Sequence, residues 1–317
     1  MFKFKTPSKK ARETMSKVAS GEIDGTNFEE SCIEKIKKLT CHDEVKITSS
    51  GNNSIFIALS AIKGDIIIPD QGGWHGFKQI AKFLNKNIIT LKTDFGLIDP
   101  EDIDELDIKE DSALIYTSFA GYCAEQDAKS ISKYCRNNGI ISIEDASAGI
   151  GDSENRLGKH SDIILASTGS PKIINVGSGG FIAGNDEIFK NTSMPQKLSK
   201  ASEIICGGMD CELDNAEENL QLTLDATDYM KKHLTNTLHP DKRGINVIIP
   251  HEDAKSVGWN LKQNLKTDKS GFITTCPNYN RVKAKAIAIE IKNLDYRCLE
   301  KENLDKIIEE IEINNLQ

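Results

Sequence analysis

A lysine and an aspartate stand where apolar runs of the chain give way to small residues. Lys172 lies in STGSPKIINVGSGG, and Asp145 ends the apolar run of SIEDAS, 27 residues earlier. A desolvated lysine, or one near other cations, can lose its proton, and its free amine then attacks carbonyl carbons. A strand-end carboxylate must be solvated, capped or paired, because burying it unpaired costs several kcal/mol. Lys172 and Asp145 are therefore candidate catalytic residues.

A short polar segment, SSGNNS at residues 49–54, lies between a predicted strand and a predicted helix. Gly51 allows a sharp turn, and the backbone N–H groups of Asn52 and Asn53 would then point out of the helix N-terminus. Such an N-terminus is a ready anion site, to which the Ser50 hydroxyl can add a donor. An ordinary helix cap uses the same residue types, so that alternative stays open.

An aromatic pair, Trp74 and His75, lies in the glycine-rich segment QGGWHGF, which follows the predicted strand IIIPD. In a chain with only 6% aromatic residues, either ring in such a loop is a candidate flat face for a planar ligand. Each of these residues also has an alternative interpretation without a catalytic role. Trp74 could pack in the core, Asp145 could cap a helix N-terminus, and Lys172 could be a solvated or phosphate-binding lysine.

These four features together suit pyridoxal 5'-phosphate. The polar segment would hold the phosphate, the aromatic ring would stack on the pyridine, and Asp145 would pair with the protonated ring nitrogen. Lys172 would form a Schiff base with the cofactor. The cofactor acts as an electron sink, and the protein tunes it through these contacts.

Three of the segments resemble those of fold type I pyridoxal-phosphate enzymes, especially the DegT/DnrJ/EryC1/StrS aminotransferases. SSGNNS is similar to the family's SSGTxA, IEDASAGIG to IEDAAQALG, and STGSPKIINVGSGG to SFxxxKxxxxGxGG. The resemblance covers roughly residues 45–235. It implies that Ser167 donates to the phosphate, that the enzyme is a homodimer, and that an arginine of the small domain binds the substrate carboxylate.

Arg281, at the start of a predicted strand, is the candidate for that arginine, with Tyr279 beside it; Arg243 is a weaker candidate. If Arg281 faces the cofactor, the amino donor is an amino acid. The chain departs from the family at two positions. Ala148 replaces a Gln or His that contacts the cofactor, and Asp210 replaces an Asn that reaches a neighbouring subunit's phosphate.

Short β-branched runs alternate with amphipathic stretches over the first two thirds of the chain. This order predicts an α/β fold with a mostly parallel sheet covered by helices on both faces. From about residue 212 the apolar spacing predicts one long helix, followed by a small α+β domain. We expect a large cofactor-binding domain with an N-terminal arm at residues 1–235 and the small C-terminal domain at residues 236–317.

Composition excludes several classes of function. A net charge of -8 and a pI near 5.4 argue against nucleic acid as the main partner. No apolar run approaches the roughly 20 residues that span a bilayer, and the basic opening segment has no signal-peptide core. The eight cysteines form no CxxC pair, and Cys206 and Cys211 lack zinc-ligand spacing, so we expect no metal site and reduced thiols in the cytoplasm.

The sequence thus predicts an aminotransferase that moves an amino group from an amino acid to a keto or aldehyde acceptor, with Lys172 as general base. One alternative keeps the cofactor but makes the protein a lyase or a sulfur-transfer enzyme, in which Cys206 would be a mobile nucleophile. Another is a cofactor-free regulatory protein with the same fold.

Overall fold

The computed structural model describes residues 1–277 and 281–314 of the chain. Its helices are α1 Lys9–Ser20, α2 Phe28–Thr40, α3 Gly51–Ala61, α4 Gly76–Phe83, α5 Ala128–Asn137, α6 Asp186–Lys190, α7 Ser193–Leu198, α8 Glu203–Leu213, α9 Ala216–His233, α10 Ala254–Asn264 and α11 Lys301–Ile313. Its strands are β1 Glu44–Thr48, β2 Ile66–Pro69, β3 Ile88–Leu91, β4 Ala113–Thr117, β5 Phe119–Ala120, β6 Ala124–Glu125, β7 Ile141–Asp145, β8 Ile163–Ser167, β9 Gly180–Gly184, β10 Val247–Pro250, β11 Ile273–Cys276 and β12 Ala286–Ile289.

The large domain is built on a seven-stranded sheet of order β1-β9-β8-β7-β4-β2-β3. The pairs β2–β3, β2–β4, β4–β7 and β7–β8 are parallel, and β9 runs antiparallel between β1 and β8. The predicted α/β class and mostly parallel sheet are confirmed. Because β4 is buried along its whole length, its residues ALIYT form a continuous apolar run rather than an alternating one.

Helices cover both faces of this sheet. On one face, Ile57 of α3 and Phe77 of α4 pack into the core. On the other, Ile36 of α2, Ile131 of α5 and Met209 of α8 form a second core. Strands β1, β7 and β8 run in the same direction, so they end at the same edge of the sheet.

The small domain is an antiparallel sheet of order β10-β12-β11, covered by α10 and α11. Helix α9 belongs to both parts, since Leu220 packs in a large-domain core and Met230 packs with the small-domain strands. The predicted boundary near residue 236 therefore stays a prediction. None of the helices in the described ranges is both long enough and apolar enough to cross a bilayer.

Two local predictions need correction. The long helix expected from about residue 212 is α9, which begins only at Ala216, because Asp214 and Asn215 separate it from α8. The Asn215 side chain donates to the Cys211 carbonyl at 3.3 Å, and asparagine commonly competes with the helical backbone in this way. The expected hairpin over residues 172–184 has only one strand, β9, because residues 172–178 form an irregular, bent segment.

Candidate active site

A cavity of about 440 Å³ lies at the edge where β1, β7 and β8 end, and the small domain closes its other side. Small-molecule sites typically measure about 300–1,000 Å³, so the cavity has the size of a cofactor site. Its lining residues are Ser50, Gly51, Asn52, Ile55, Trp74, Tyr122, Asp145, Ser147, Leu165, Ser167, Ser170, Pro171, Lys172, Arg281 and Lys292. The structure thus brings most of the predicted site residues together.

Asp145, the last residue of β7, is buried at the inner end of this cavity. Its Oδ1 accepts hydrogen bonds from the Ser147 backbone N–H at 3.0 Å and from the Ser147 hydroxyl at 2.5 Å. Burial raises the pKa of Asp145, and Lys172 and Ser147 partly offset that rise. The carboxylate is therefore oriented by its own turn and interacts electrostatically with Lys172.

Lys172 follows β8 and points into the same cavity. Its Nζ donates to the Tyr122 hydroxyl at 3.2 Å. Burial alone would lower the pKa of Lys172, but Tyr122 and Asp145 together raise it above its ordinary value. The amine thus lies between two acids and is held in its charged form.

The N-terminus of α3 lies at the cavity, where the sequence predicted an anion cradle or an ordinary helix cap. Ser50 caps the helix by accepting from the Asn53 N–H at 3.2 Å. An ideal Cβ on Gly51 would lie 2.5 Å from the Ser167 Cβ, so only glycine permits this close approach of α3 to β8. The Asn53 side chain does not line the cavity, since it donates to the Ser49 hydroxyl at 2.7 Å.

Trp74 forms part of the cavity wall. Its Nε1 donates to the Asn52 Oδ1 at 3.0 Å, which ties the indole to the start of α3. The His75 ring lies 4.1 Å from the indole, at the start of α4, and is not part of the lining. The geometry therefore favours Trp74 over His75 as the stacking residue.

The small domain contributes two cations and one carboxylate. Arg281 and Lys292 line the cavity, and both form ion pairs with Glu290, with the Lys292 Nζ 2.8 Å from Oε2. Thr274 donates to Glu290 Oε1 at 2.7 Å. Since Glu290 can neutralise only one of these two cations, this wall of the cavity suits an anionic substrate group. The other predicted substrate residue, Tyr279, lies outside the described residues.

Three polar residues that the sequence analysis had not singled out also line the cavity: Tyr122, Ser147 and Lys292. Ser147 was the easiest to foresee, because it lies two residues after Asp145 in a turn. Tyr122 follows a glycine just after an apolar strand, and Lys292 follows β12, but no local pattern connects either of them to Lys172. Only the folded chain brings these three segments together.

Arg243 does not belong to this cavity. It lines a separate polar pocket and forms two hydrogen bonds of 3.0 Å to the buried Asp152. Asp210 also lies outside the lining and is paired with Lys35 at 2.9 Å. Residues 206–213 belong to helix α8, and most of them are buried.

Cys206 is a poor candidate for a mobile nucleophile. It is 2% exposed in α8, among the core residues of the large domain, and its carbonyl accepts from the Cys32 thiol. Burial raises the pKa of Cys206 to about 11. Because the thiolate is the reactive form, the structure offers no support for sulfur transfer at this residue.

Comparison with known families agrees with this geometry. The model of the DegT/DnrJ/EryC1/StrS aminotransferase family matches residues 9–199, more than half of the chain. The chain belongs to this family. This aminotransferase therefore uses pyridoxal phosphate, as its family does. A second model, of the MJ1341 family C-terminal domain, matches residues 217–312.

Solved structures with the same fold include a putative sugar aminotransferase from Streptococcus pneumoniae in its PMP form (TM-score 0.76, 12% identity, 99% of this chain and 98% of that one). They include 3-amino-5-hydroxybenzoic acid synthase (TM-score 0.75, 13% identity, 99% and 98%). A NifS-like protein from Rickettsia africae is also similar (TM-score 0.74, 14% identity, 98% and 97%). No curated protein sequence matches significantly. At such low sequence identities, the structural similarity to these proteins shows only that the fold is shared.

The aminotransferase cavity fits pyridoxal phosphate. Oδ1 of Asp145 accepts its hydrogen bonds from Ser147. Among the described residues no group donates to Oδ2. This second oxygen can therefore accept a hydrogen bond from a protonated ring nitrogen. The glycine at position 51 leaves the α3 N-terminus open to a phosphate. Trp74 offers a flat wall between these two ends.

Proposed function

We propose that Lys172 is the residue that binds pyridoxal phosphate covalently and then serves as the general base. Asp145 keeps the ring nitrogen protonated, and the cradle of Ser50, Gly51 and Asn52 with Ser167 holds the phosphate. The observation that carries this proposal is the placement of Lys172 and Asp145 in one cavity, where each shifts the pKa of the other.

Each residue has a task that follows from its position. Bound pyridoxal phosphate supplies a sink for the electrons of the broken substrate Cα–H bond. The Lys172 amine, which would hold the cofactor in the resting protein, would serve as the base that moves the proton of the substrate Cα. Asp145, buried and oriented by Ser147, holds a proton on the ring nitrogen throughout. Trp74 limits the tilt of a flat ring.

The donor in this proposal is an amino acid, and the acceptor is a keto or aldehyde compound. Arg281 supports this choice, because its guanidinium lies at the cavity with Glu290 as counterion and can bind a carboxylate in bidentate geometry. The neighbouring Lys292 adds a second positive charge. The homodimer implied by the family resemblance belongs to the same proposal.

A labelling experiment tests the role of Lys172. The protein is loaded with pyridoxal phosphate and reduced with borohydride, and the labelled lysine is identified by peptide mass spectrometry. We expect the label on Lys172 in the wild type and no label in Lys172→Ala. Lys292→Ala is the matched control, because Lys292 is a second buried lysine of the cavity, and it should keep the label on Lys172.

The same loaded protein tests the donor. Amino acids should change its visible spectrum, whereas the corresponding amines without a carboxylate should not. A wild-type protein that stays colourless with added pyridoxal phosphate, or that carries the label on Lys292, would overturn the proposal. Equal spectral changes with amino acids and amines would remove the role given to Arg281.

A further inference from the structure

The Lys172 amine has one side-chain hydrogen-bond partner among the described residues, the Tyr122 hydroxyl at 3.2 Å. Tyr122 lies in the turn between β5 and β6 with a φ of 65°. A non-glycine residue in this region stores about 1–3 kcal/mol of strain and persists only where its surroundings hold it. Here the Tyr122 carbonyl accepts from the N–H groups of Ile245 at 2.9 Å and Asn246 at 3.0 Å.

Three cations surround the Tyr122 ring. Lys292 Nζ lies 4.9 Å from the ring centre, the Arg281 guanidinium carbon 5.4 Å and Lys172 Nζ 5.5 Å. Two acids lie nearby. Asp145 interacts electrostatically with both Tyr122 and Lys172. Glu290 forms ion pairs with Arg281 and Lys292. Lys172, Lys292 and Arg281 each favour a negative charge on the phenol oxygen, and Asp145 opposes it.

The three cations change the pKa of Tyr122 in the direction opposite to that of burial. Burial alone would raise the pKa of Tyr122, but Lys172, Lys292 and Arg281 together lower it below its ordinary value. Burial is the largest of the influences that lower the pKa of Lys292 to about 7, and Arg281 and Lys172 also lower it, whereas Tyr122 favours its charged form. Tyr122 is thus a candidate proton acceptor directly bonded to the amine.

The amine of Lys172 needs such an acceptor. An ammonium has no lone pair, so it can neither attack a carbonyl nor take a proton from carbon. Asp145 and Tyr122 both favour the charged form of Lys172. A route for its proton is therefore required within the cavity, and the side-chain atom that accepts from Nζ in the described part of the chain is the Tyr122 oxygen.

We propose that Tyr122 is a second acid–base residue of the site, which takes the extra proton of Lys172 and gives it back. The step breaks one N–H bond of the ammonium and forms the O–H bond of the phenol. The charged pair becomes a neutral pair, the nitrogen keeps the electron pair, and no oxidant or further reactant is needed. This inference rests on the proposed role of Lys172 and adds the group that frees its amine.

The cofactor-free protein gives the first test. Tyrosinate absorbance is followed during a pH titration of the wild type, of Tyr122→Phe and of Tyr229→Phe, a control whose hydroxyl bonds Asp305 outside the cavity. We expect one tyrosine of the wild type to ionise below the ordinary tyrosine pKa of about 10. That transition should be absent in Tyr122→Phe, unchanged in Tyr229→Phe and shifted upward in Lys172→Ala.

The loaded enzyme gives the second test, through exchange of the substrate Cα proton with deuterated solvent, measured by NMR. Tyr122→Phe should slow this exchange on the order of 10²-fold or more, as loss of an acid–base group does. It should acquire the borohydride label on Lys172 more slowly than the wild type but to the same final extent, because the lysine remains while the group that frees its amine is lost. Tyr229→Phe should exchange at the wild-type rate.

The outcomes separate the two proposals. Failure to label Lys172 in the wild type overturns the proposed function, whereas the titration of the cofactor-free protein still decides whether Tyr122 and Lys172 share a proton. Wild-type exchange in a labelled Tyr122→Phe protein overturns the role of Tyr122. If Tyr122→Phe does not fold, a wild-type titration in which no tyrosine ionises below the ordinary range overturns that role as well.

Discussion

Two adjacent carboxylates at the end of β7 have opposite surroundings. Asp145 faces the cofactor cavity, where Lys172 and Ser147 stabilise its charge. Glu144 points to the other face of the sheet, because neighbouring side chains of a strand alternate. Its Oε1 accepts from the Ser118 hydroxyl at 2.6 Å and the Gly158 N–H at 2.9 Å, but Oε2 is buried with no partner among the described residues. Neighbouring positions of β7 thus place Asp145 in the cavity and Glu144 in the interior on the opposite face of the sheet.

Glu144 should make stability depend on pH. Burial raises the pKa of Glu144 from 4.5 to about 7, so between these values the folded state binds a proton that the unfolded state has lost. The free energy of unfolding should therefore fall by roughly 3 kcal/mol as pH rises from below 4.5 to above 7. Denaturant unfolding at several pH values should show this fall in the wild type and in the exposed control Glu302→Gln. The same fall in Glu144→Gln would contradict the assignment.

The contact between α3 and β8 builds the end of the cavity that we propose binds the phosphate. The helix begins at Gly51 directly against Ser167, and its backbone can come this close because position 51 has no side chain. The helix N-terminus therefore faces the cavity with no side chain at position 51 in front of it, although the Asn53 N–H is already bonded to Ser50. Ser50 shapes the same turn by capping the helix.

Gly51→Ala should damage both stability and cofactor binding. Its Cβ would lie 2.5 Å from the Ser167 Cβ, so the helix or the strand must shift. We expect a loss of about 1–3 kcal/mol in the free energy of unfolding, as for other overpacked sites, and weaker binding of pyridoxal phosphate. Thermal unfolding and titration of the cofactor's absorbance measure the two effects. Gly271→Ala is the control, since no atom lies within 4 Å of its Cβ. Equal affinities for the two variants would argue against the cradle.

The whole site depends on how the small domain is docked on the large one. The backbone N–H groups of Ile245 and Asn246 bond to Tyr122, and the Lys283 N–H donates to Gln71 Oε1 at 2.8 Å. Arg243 adds an ionic connection by bonding to Asp152 and to Glu125. These contacts set the distance from Lys172, on the large domain, to the cations of the small domain.

Arg243→Ala should be strongly destabilising. The Asp152 side chain is 0% exposed and pairs with Arg243 through two bonds of 3.0 Å, so the substitution leaves a buried carboxylate without its cation. Breaking such a pair typically costs about 3–5 kcal/mol. The control is Arg297→Ala, whose guanidinium is 75% exposed beside Asp295; exposed pairs contribute about 1 kcal/mol or less. Denaturant unfolding compares the two, and equal losses would refute the role of Arg243.

Local patterns in the sequence were sufficient for the order of strands and helices in the large domain and for the residues at strand ends. Asp145, Ser50 and Lys172 could be identified because each lies in a short segment whose turn chemistry and apolar neighbours are visible within ten residues. The division between α8 and α9 was missed, because Asn215 competes with the helix through its own side chain rather than through any change in apolar spacing.

The sequence by itself determined which segments end at the catalytic edge of the sheet, since chain direction and apolar runs decide that locally. The tertiary structure alone decided that Tyr122 bonds Lys172, that Lys292 and Arg281 share Glu290, and that Arg243 is a structural cation rather than a substrate ligand. The physical reason is that charge interactions depend on distance in space. These partners come from distant segments of the chain, and no periodicity in the sequence records how close they lie.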